Sequence, residues 1–181
     1  NLASFTSQVI KKEEEQDTII ESKAPKRPTI LQGEIVRFQN KHEKWIAVVG
    51  LLNGRPYEIF TGKAEESFVL PNWVERGEII KVKNGNGKTR YDFSYTDKEG
   101  YNVTIGGLSR SFDKEYWNYA KLISGILRHG MPMPFVVDVV NNLNLNDESL
   151  NTWKNGVARA LKKYIPDGTK PVENICPNCS Q

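Results

Sequence analysis

The hydrophobic pattern of this sequence changes period once, between Ile105 and Tyr116. Before the change, apolar residues alternate or run together over short stretches, as strands require; after it they recur every three or four positions, as helices require. Strands followed by helices, without alternation of the two, mean an α+β fold with the helices packed on one face of an antiparallel sheet.

In the first half, Ile35, Val36 and Phe38 open a strand at Glu34, and Trp45 to Val49 is an unbroken apolar run of the kind found in a buried central strand. Asn53-Gly54 supplies a turn, because both residues tolerate the positive φ of a tight hairpin, and Tyr57, Ile59 and Phe60 return on the next strand. A loop through Pro71 leads to a strand over Glu78 to Lys83. Asn84-Gly85-Asn86-Gly87 makes a second hairpin, followed by Tyr91, Phe93 and Tyr95 at period two with Asp92 and Ser94 on the opposite face. Asp97 to Gly100 turns the chain into Tyr101, Val103 and Ile105. Hairpins joined by short turns predict a meander.

In the second half, Tyr116, Tyr119, Ala120, Ile123 and Leu127 mark a helix that Ser111 or Asp113 caps and that Gly130 and Pro132 stop. Pro134 starts a second, with Val136, Val137, Val140 and Leu143 as its apolar stripe. Asp147 caps a third, in which Leu150, Trp153, Val157, Leu161 and Tyr164 share a face until Pro166.

A chain of 181 residues with 38% hydrophobic and 26% charged residues suits one soluble domain with polar appendages. The appendages lie at the ends. Residues 1–28 hold a weak helical pattern (Leu2, Phe5, Val9), the charge run Lys11 to Glu15 and two prolines, which predict a solvated tether, with a docking peptide as the alternative. Residues 29–166 form the α+β body, and 167–181 a tail. The chain opens at Asn1 without an initiator Met and stops just after Cys179, which suggests a piece of something longer. No apolar stretch is long enough to cross a bilayer, no signal peptide is present, and two cysteines make no disulfide framework, so a cytoplasmic setting is expected.

Generic enzyme motifs are absent: there is no phosphate loop, no dinucleotide fingerprint and no His-Glu-x-x-His pair. His42 falls in a predicted turn and His129 at a helix C-terminus, where a cation caps carbonyls. Lys81, Lys83, Lys88 and Arg90 flank the Gly-rich hairpin and, with Tyr91, Phe93, Tyr95 and Tyr101, offer a weak nucleic-acid contact if the rings are exposed, or core packing if they are not. Cys176-Pro-Asn-Cys179 has the spacing of half a tetrahedral zinc site, of a redox dithiol, or of two free thiols on a tail.

Four stretches taken together resemble a known module: Lys26-Arg27-Pro28 with Gly33, Asn53-Gly54-Arg55-Pro56-Tyr57-Glu58-Ile59-Phe60, Leu122 to Gly130 with its Leu-Arg-His-Gly end, and Val157 to Tyr164. In this order they resemble the TSCPD-type domain at the C-terminus of adenosylcobalamin-dependent ribonucleotide reductases. The Thr-Ser-Cys-Pro-Asp string of that family is replaced near Thr152-Trp153-Lys154-Asn155, so no role of its cysteine carries over, and Glu65 to Tyr101 is longer than in the simplest members. Cys176 and Cys179 align with the opening pair of the family's cysteine cluster. The resemblance implies a non-catalytic domain of a parent that uses adenosylcobalamin in its own barrel, with a cysteine tail that binds zinc or relays reducing equivalents. The implied partners are the parent's catalytic domain and a thioredoxin-like reductant.

Overall fold

A computed structural model describes residues 18–40, 42–64, 70–108 and 114–169. Ser111, Asp113, the pattern at Leu2 to Val9, and both cysteines lie outside the described residues. Among the described residues there are six strands: β1 (Ile30–Asn40), β2 (Glu43–Leu52), β3 (Arg55–Lys63), β4 (Arg76–Lys83), β5 (Thr89–Thr96) and β6 (Asn102–Ile105). Three helices follow: α1 (Lys114–Arg128), α2 (Met133–Asn141) and α3 (Glu148–Lys162). The α+β class is the one that the change of period requires.

All neighbouring strands are antiparallel, in the order β3-β2-β1-β4-β5-β6. The sheet is thus two three-stranded meanders joined along β1 and β4. That junction runs from Ile30↔Ile80 to Glu34↔Arg76, and it carries β1 back to Ile30, ahead of the Glu34 at which the local pattern begins. Pairing with a distant strand supplies hydrogen bonds that a local pattern cannot register.

The hairpins use the turn chemistry their residues offer. Asn53 (φ 51°) and Gly54 (φ 79°) make the left-handed pair of a type I′ turn. Asn84 Oδ1 accepts from the amides of Asn86 and Lys88, and Asp97 Oδ1 in the same way from Glu99 and Tyr101. One short side chain thereby holds each turn by mimicking a backbone carbonyl.

One core lies between the sheet and the helices. Phe38, Trp45, Ala47, Val49 and Ile59 meet Tyr116, Ile123 and Leu127 of α1, Val136 and Val140 of α2, and Trp153, Val157 and Leu161 of α3. Trp153 is fully buried and donates from Nε1 to Thr61 Oγ1 at 2.7 Å, so its one polar atom is satisfied. Of the unmatched Thr152-Trp153-Lys154-Asn155 stretch, Thr152 and Trp153 are thus buried while Asn155 is exposed. Asp147 caps α3 by accepting from Leu150 N–H at 3.1 Å. Gly156 allows α3 to lie on the ring of Phe38, which a β-carbon at that position would strike.

A second core fills the opposite face of the sheet. Ile35, Ile46, Val48 and Phe60 from the first meander pack with Ile79 and Phe93 from the second, together with Leu70, Val74 and Leu108. Among the described residues no helix layer covers them; the two halves of the sheet do, with Leu70, Val74 and Leu108 filling in and Trp117 of α1 at the border. Four strand spacings separate β3 from β5, which in a flat sheet is about 19 Å. Yet the rings of Phe60 on β3 and Tyr91 on β5 are 5.1 Å apart, so the sheet curls until its two halves touch. Gly33 and Gly77, paired across the junction, leave the space that Ile79 and Phe93 occupy on this concave face.

Candidate functional site

Three of the stretches that carry the resemblance, around Arg27, Asn53 to Phe60 and Leu122 to Gly130, converge where α1 runs along the edge strand β3. An edge strand presents unpaired N–H and C=O groups. Here Ser124 of α1 accepts from Ile59 N–H at 3.1 Å and passes its own proton to Ala120 O at 2.8 Å, so a helix closes the edge. The helix straddles that edge. Tyr116, Ala120, Ile123 and Leu127 face the helical core, while Trp117, Lys121, Ser124 and Arg128, at i, i+4, i+7 and i+11, form the neighbouring stripe toward the concave side.

Between that stripe and the sheet lies a cleft of about 200 Å³ lined by Glu58, Phe60, Tyr91, Trp117, Lys121 and Arg128. Arg128 also lines an adjoining hollow of about 370 Å³, with Tyr57, Arg55, His129 and Lys23 around it. Phe60 is the floor of the first cleft, its ring 5.1 Å from Tyr91 and 5.4 Å from Trp117.

The charges around the cleft are unequal in freedom. Glu58 is buried, and Arg27 donates to both of its carboxylate oxygens through Nε and Nη2 at 2.6 to 3.2 Å. Arg27 also donates to the carbonyls of Pro28, Thr29 and Ile79, and its guanidinium stands 5.4 Å from the centre of the Tyr91 ring. The two side chains are only 7% and 3% exposed, so this is a buried pair with its hydrogen bonds filled. Arg55 donates to Leu127 O at 2.7 Å and to Met131 O at 2.6 Å, placing its charge on the carbonyl end of α1. Arg128 donates only from Nε, to Ser124 O at 3.3 Å, with its guanidinium 5.2 Å from the Tyr57 ring. Its two terminal nitrogens have no acceptor among the described residues, nor has the exposed Lys121.

Burial pushes the Tyr91 phenol above its ordinary range; the Glu58 carboxylate adds to the rise, and Arg27 and Arg128 oppose it. Tyr91 therefore keeps its proton at neutral pH and remains a donor.

Residues 22–28, the end of the stretch read as a tether, lie against this region. Tyr57 donates to Pro25 O at 2.7 Å, Ser22 Oγ donates to His129 O at 3.0 Å, and His129 Nδ1 is 3.1 Å from Ser22 O. His129 thus meets the strap, and Arg55 takes the helix-capping position expected of it. Composition favoured a solvated tether over a docking peptide here, because the partners of the strap come from β3 and α1, far away in sequence.

The basic residues around the second hairpin do not gather. Lys81 and Lys83 share the face of Tyr91, whereas Arg90 lies on the other face and pairs with buried Asp92 at 2.9 Å. Of the alternating rings, Phe93 is fully buried, Tyr91 and Tyr95 are half-buried and Tyr101 is 72% exposed. His42 is exposed in the β1–β2 turn.

Comparison with known families places this body among C-terminal domains related to ribonucleotide reductase. The chain belongs to the NrdJ homologue C-terminal domain family, whose model matches residues 31–166. No curated protein and no solved structure matches it. The cleft residues Lys121 and Trp117 carried no assigned role in the sequence, and Tyr91 stood only among the alternating rings read as a stacking surface or as core; the resemblance marked the blocks around Arg27, Glu58 and Arg128 without saying that they meet.

Proposed function

We propose that this chain is a non-catalytic accessory domain at the C-terminal end of a cytoplasmic, adenosylcobalamin-dependent ribonucleotide reductase, of the TSCPD type. What carries the reading is the family match over residues 31–166, set beside a site whose one buried carboxylate is already neutralised by an arginine. General acid–base chemistry needs a group free to exchange its proton, and Glu58 is held as an ion pair. The clefts of about 200 and 370 Å³ beside β3 and α1 are small for adenosylcobalamin, which supports a reading in which its radical chemistry is housed in the parent's own barrel. Zinc is expected in the completed tail, with Cys176 and Cys179 as two of its four ligands, or as a dithiol served by a thioredoxin-like reductant.

In this role the domain fixes the start of the tail relative to the catalytic domain. The docked strap supports it, since residues 22–28 are tied to the same end of the body that β3 and α1 form. The test is ribonucleotide reduction with adenosylcobalamin by the parent protein, intact and with this domain removed. Turnover driven by a small dithiol is expected to survive the removal, and turnover driven by a protein reductant to fall at least tenfold. Reduction of a nucleotide by the isolated 181-residue chain would refute the proposal.

A further inference from the structure

The stripe of α1 that faces the concave side ends in two cations with unfilled donors, and they stand over a wall of rings. We propose that the cleft between β3 and α1 binds a small aromatic phosphate of the mononucleotide class, its flat ring against Trp117 and Tyr91 and its phosphate held by Lys121 and Arg128. The inference does not rest on the reductase reading.

Three features lead there. First, the polar groups that converge on the cleft without an acceptor are all donors: the terminal nitrogens of Arg128, the ammonium of Lys121 and the hydroxyl of Tyr91. None of these has an acceptor among the described residues. A ligand that satisfies them presents only acceptors at that end, which is the character of an oxyanion. Second, the single carboxylate in the lining does not oppose an anion. Glu58 is neutralised by Arg27 on both oxygens, so Lys121 and Arg128 set the residual charge of the cleft.

Third, the arginine is arranged before any ligand arrives. Its Nε bond to Ser124 O and its position 5.2 Å from the Tyr57 ring fix the guanidinium, leaving the two nitrogens that form a fork for phosphate. Holding the fork in advance lowers the ordering cost of binding. Opposite it, the rings of Phe60, Tyr91 and Trp117 form a wall with room for one planar ring system in about 200 Å³. Arg128 lines both this cleft and the hollow of about 370 Å³, so a ligand that places its ring in one has space for a sugar and phosphate toward the other. Stacking on aromatic side chains is tolerant of base identity, which makes the expected preference one for a ringed phosphate over either half alone.

The experiment is a calorimetric titration of the full 181-residue chain at low salt with ADP, with inorganic pyrophosphate and with adenosine. ADP is expected to bind one per chain, with each half-ligand at least tenfold weaker. Lys121→Glu and Arg128→Gln are each expected to weaken ADP at least tenfold at an unchanged melting temperature. Lys121 is exposed and makes no hydrogen bond or ion pair among the described residues, so Lys121→Glu keeps the test decisive even if Arg128→Gln unfolds the protein. No saturable binding of ADP at millimolar concentration, pyrophosphate binding as tightly as ADP, or indifference of ADP binding to Lys121→Glu would each overturn the proposal.

Discussion

The two faces of the sheet are closed by different means. The outer face is covered by helices whose apolar stripes repeat along their own sequence. The inner face is covered mainly by the other half of the same sheet, brought round by curl and by the paired glycines Gly33 and Gly77, with Leu70, Val74 and Leu108 from the connecting segments. Both faces bury large side chains completely, Trp153 on one and Phe93 on the other. An apolar layer needs a cover, then, but the cover need not be a separate element. The β3–α1 cleft exists because these two solutions meet along one edge, where α1 serves the outer core with one stripe and borders the concave side with the next.

The comparison is broken most directly by truncation. Trp153→Ala and Phe93→Ala are each expected to cost about 3–5 kcal/mol, read from urea unfolding. If the concave core were only a satellite, Phe93→Ala would cost well under half as much as Trp153→Ala. Next comes the ion pair that bridges the strap, β3 and β4 above the concave face. Arg27→Met alone leaves the Glu58 carboxylate buried without a partner and is expected to cost about 3 kcal/mol, whereas Arg27→Met with Glu58→Leu recovers most of the loss. Additive losses in that double mutant would show that the two groups contribute independently and not as a pair.

A smaller effect separates the outer face from an ordinary helix packing. Gly156→Ala in an exposed helix interior gains about 1 kcal/mol. Against the Phe38 ring it is expected to cost about 1–3 kcal/mol instead, visible as a lower melting temperature. The smallest is at the shared edge. Ser124→Ala removes the acceptor for Ile59 N–H and is expected to cost about 1 kcal/mol, with faster amide exchange at Ile59 in particular. Unchanged exchange there would mean that the helix does not close the strand.

Much of the fold was legible because its signals are local. The period of the apolar residues, the turn residues Asn53-Gly54, Asn84 and Asp97, the cap at Asp147 and the stop at Gly130 each act within a few positions of themselves. The site was legible only in part. The blocks around Arg27, Arg55-Pro56-Tyr57-Glu58 and Arg128-His129-Gly130 stood out by resemblance, but Glu58 finds Arg27 across 31 positions and Arg55 finds Leu127 across 72. Lys121 looks in the sequence like any solvated lysine on a helix, and it gains meaning only beside Arg128 and the rings of β3 and β5.

By itself the sequence determined the class of fold, the strands and helices and the turns between them, because backbone preference and apolar period are properties of neighbouring residues. The tertiary structure decided which strands lie side by side across β1 and β4, how far the sheet curls, and which charges are neutralised and which are left open. Those depend on contacts between residues distant along the chain, whose formation no local pattern encodes.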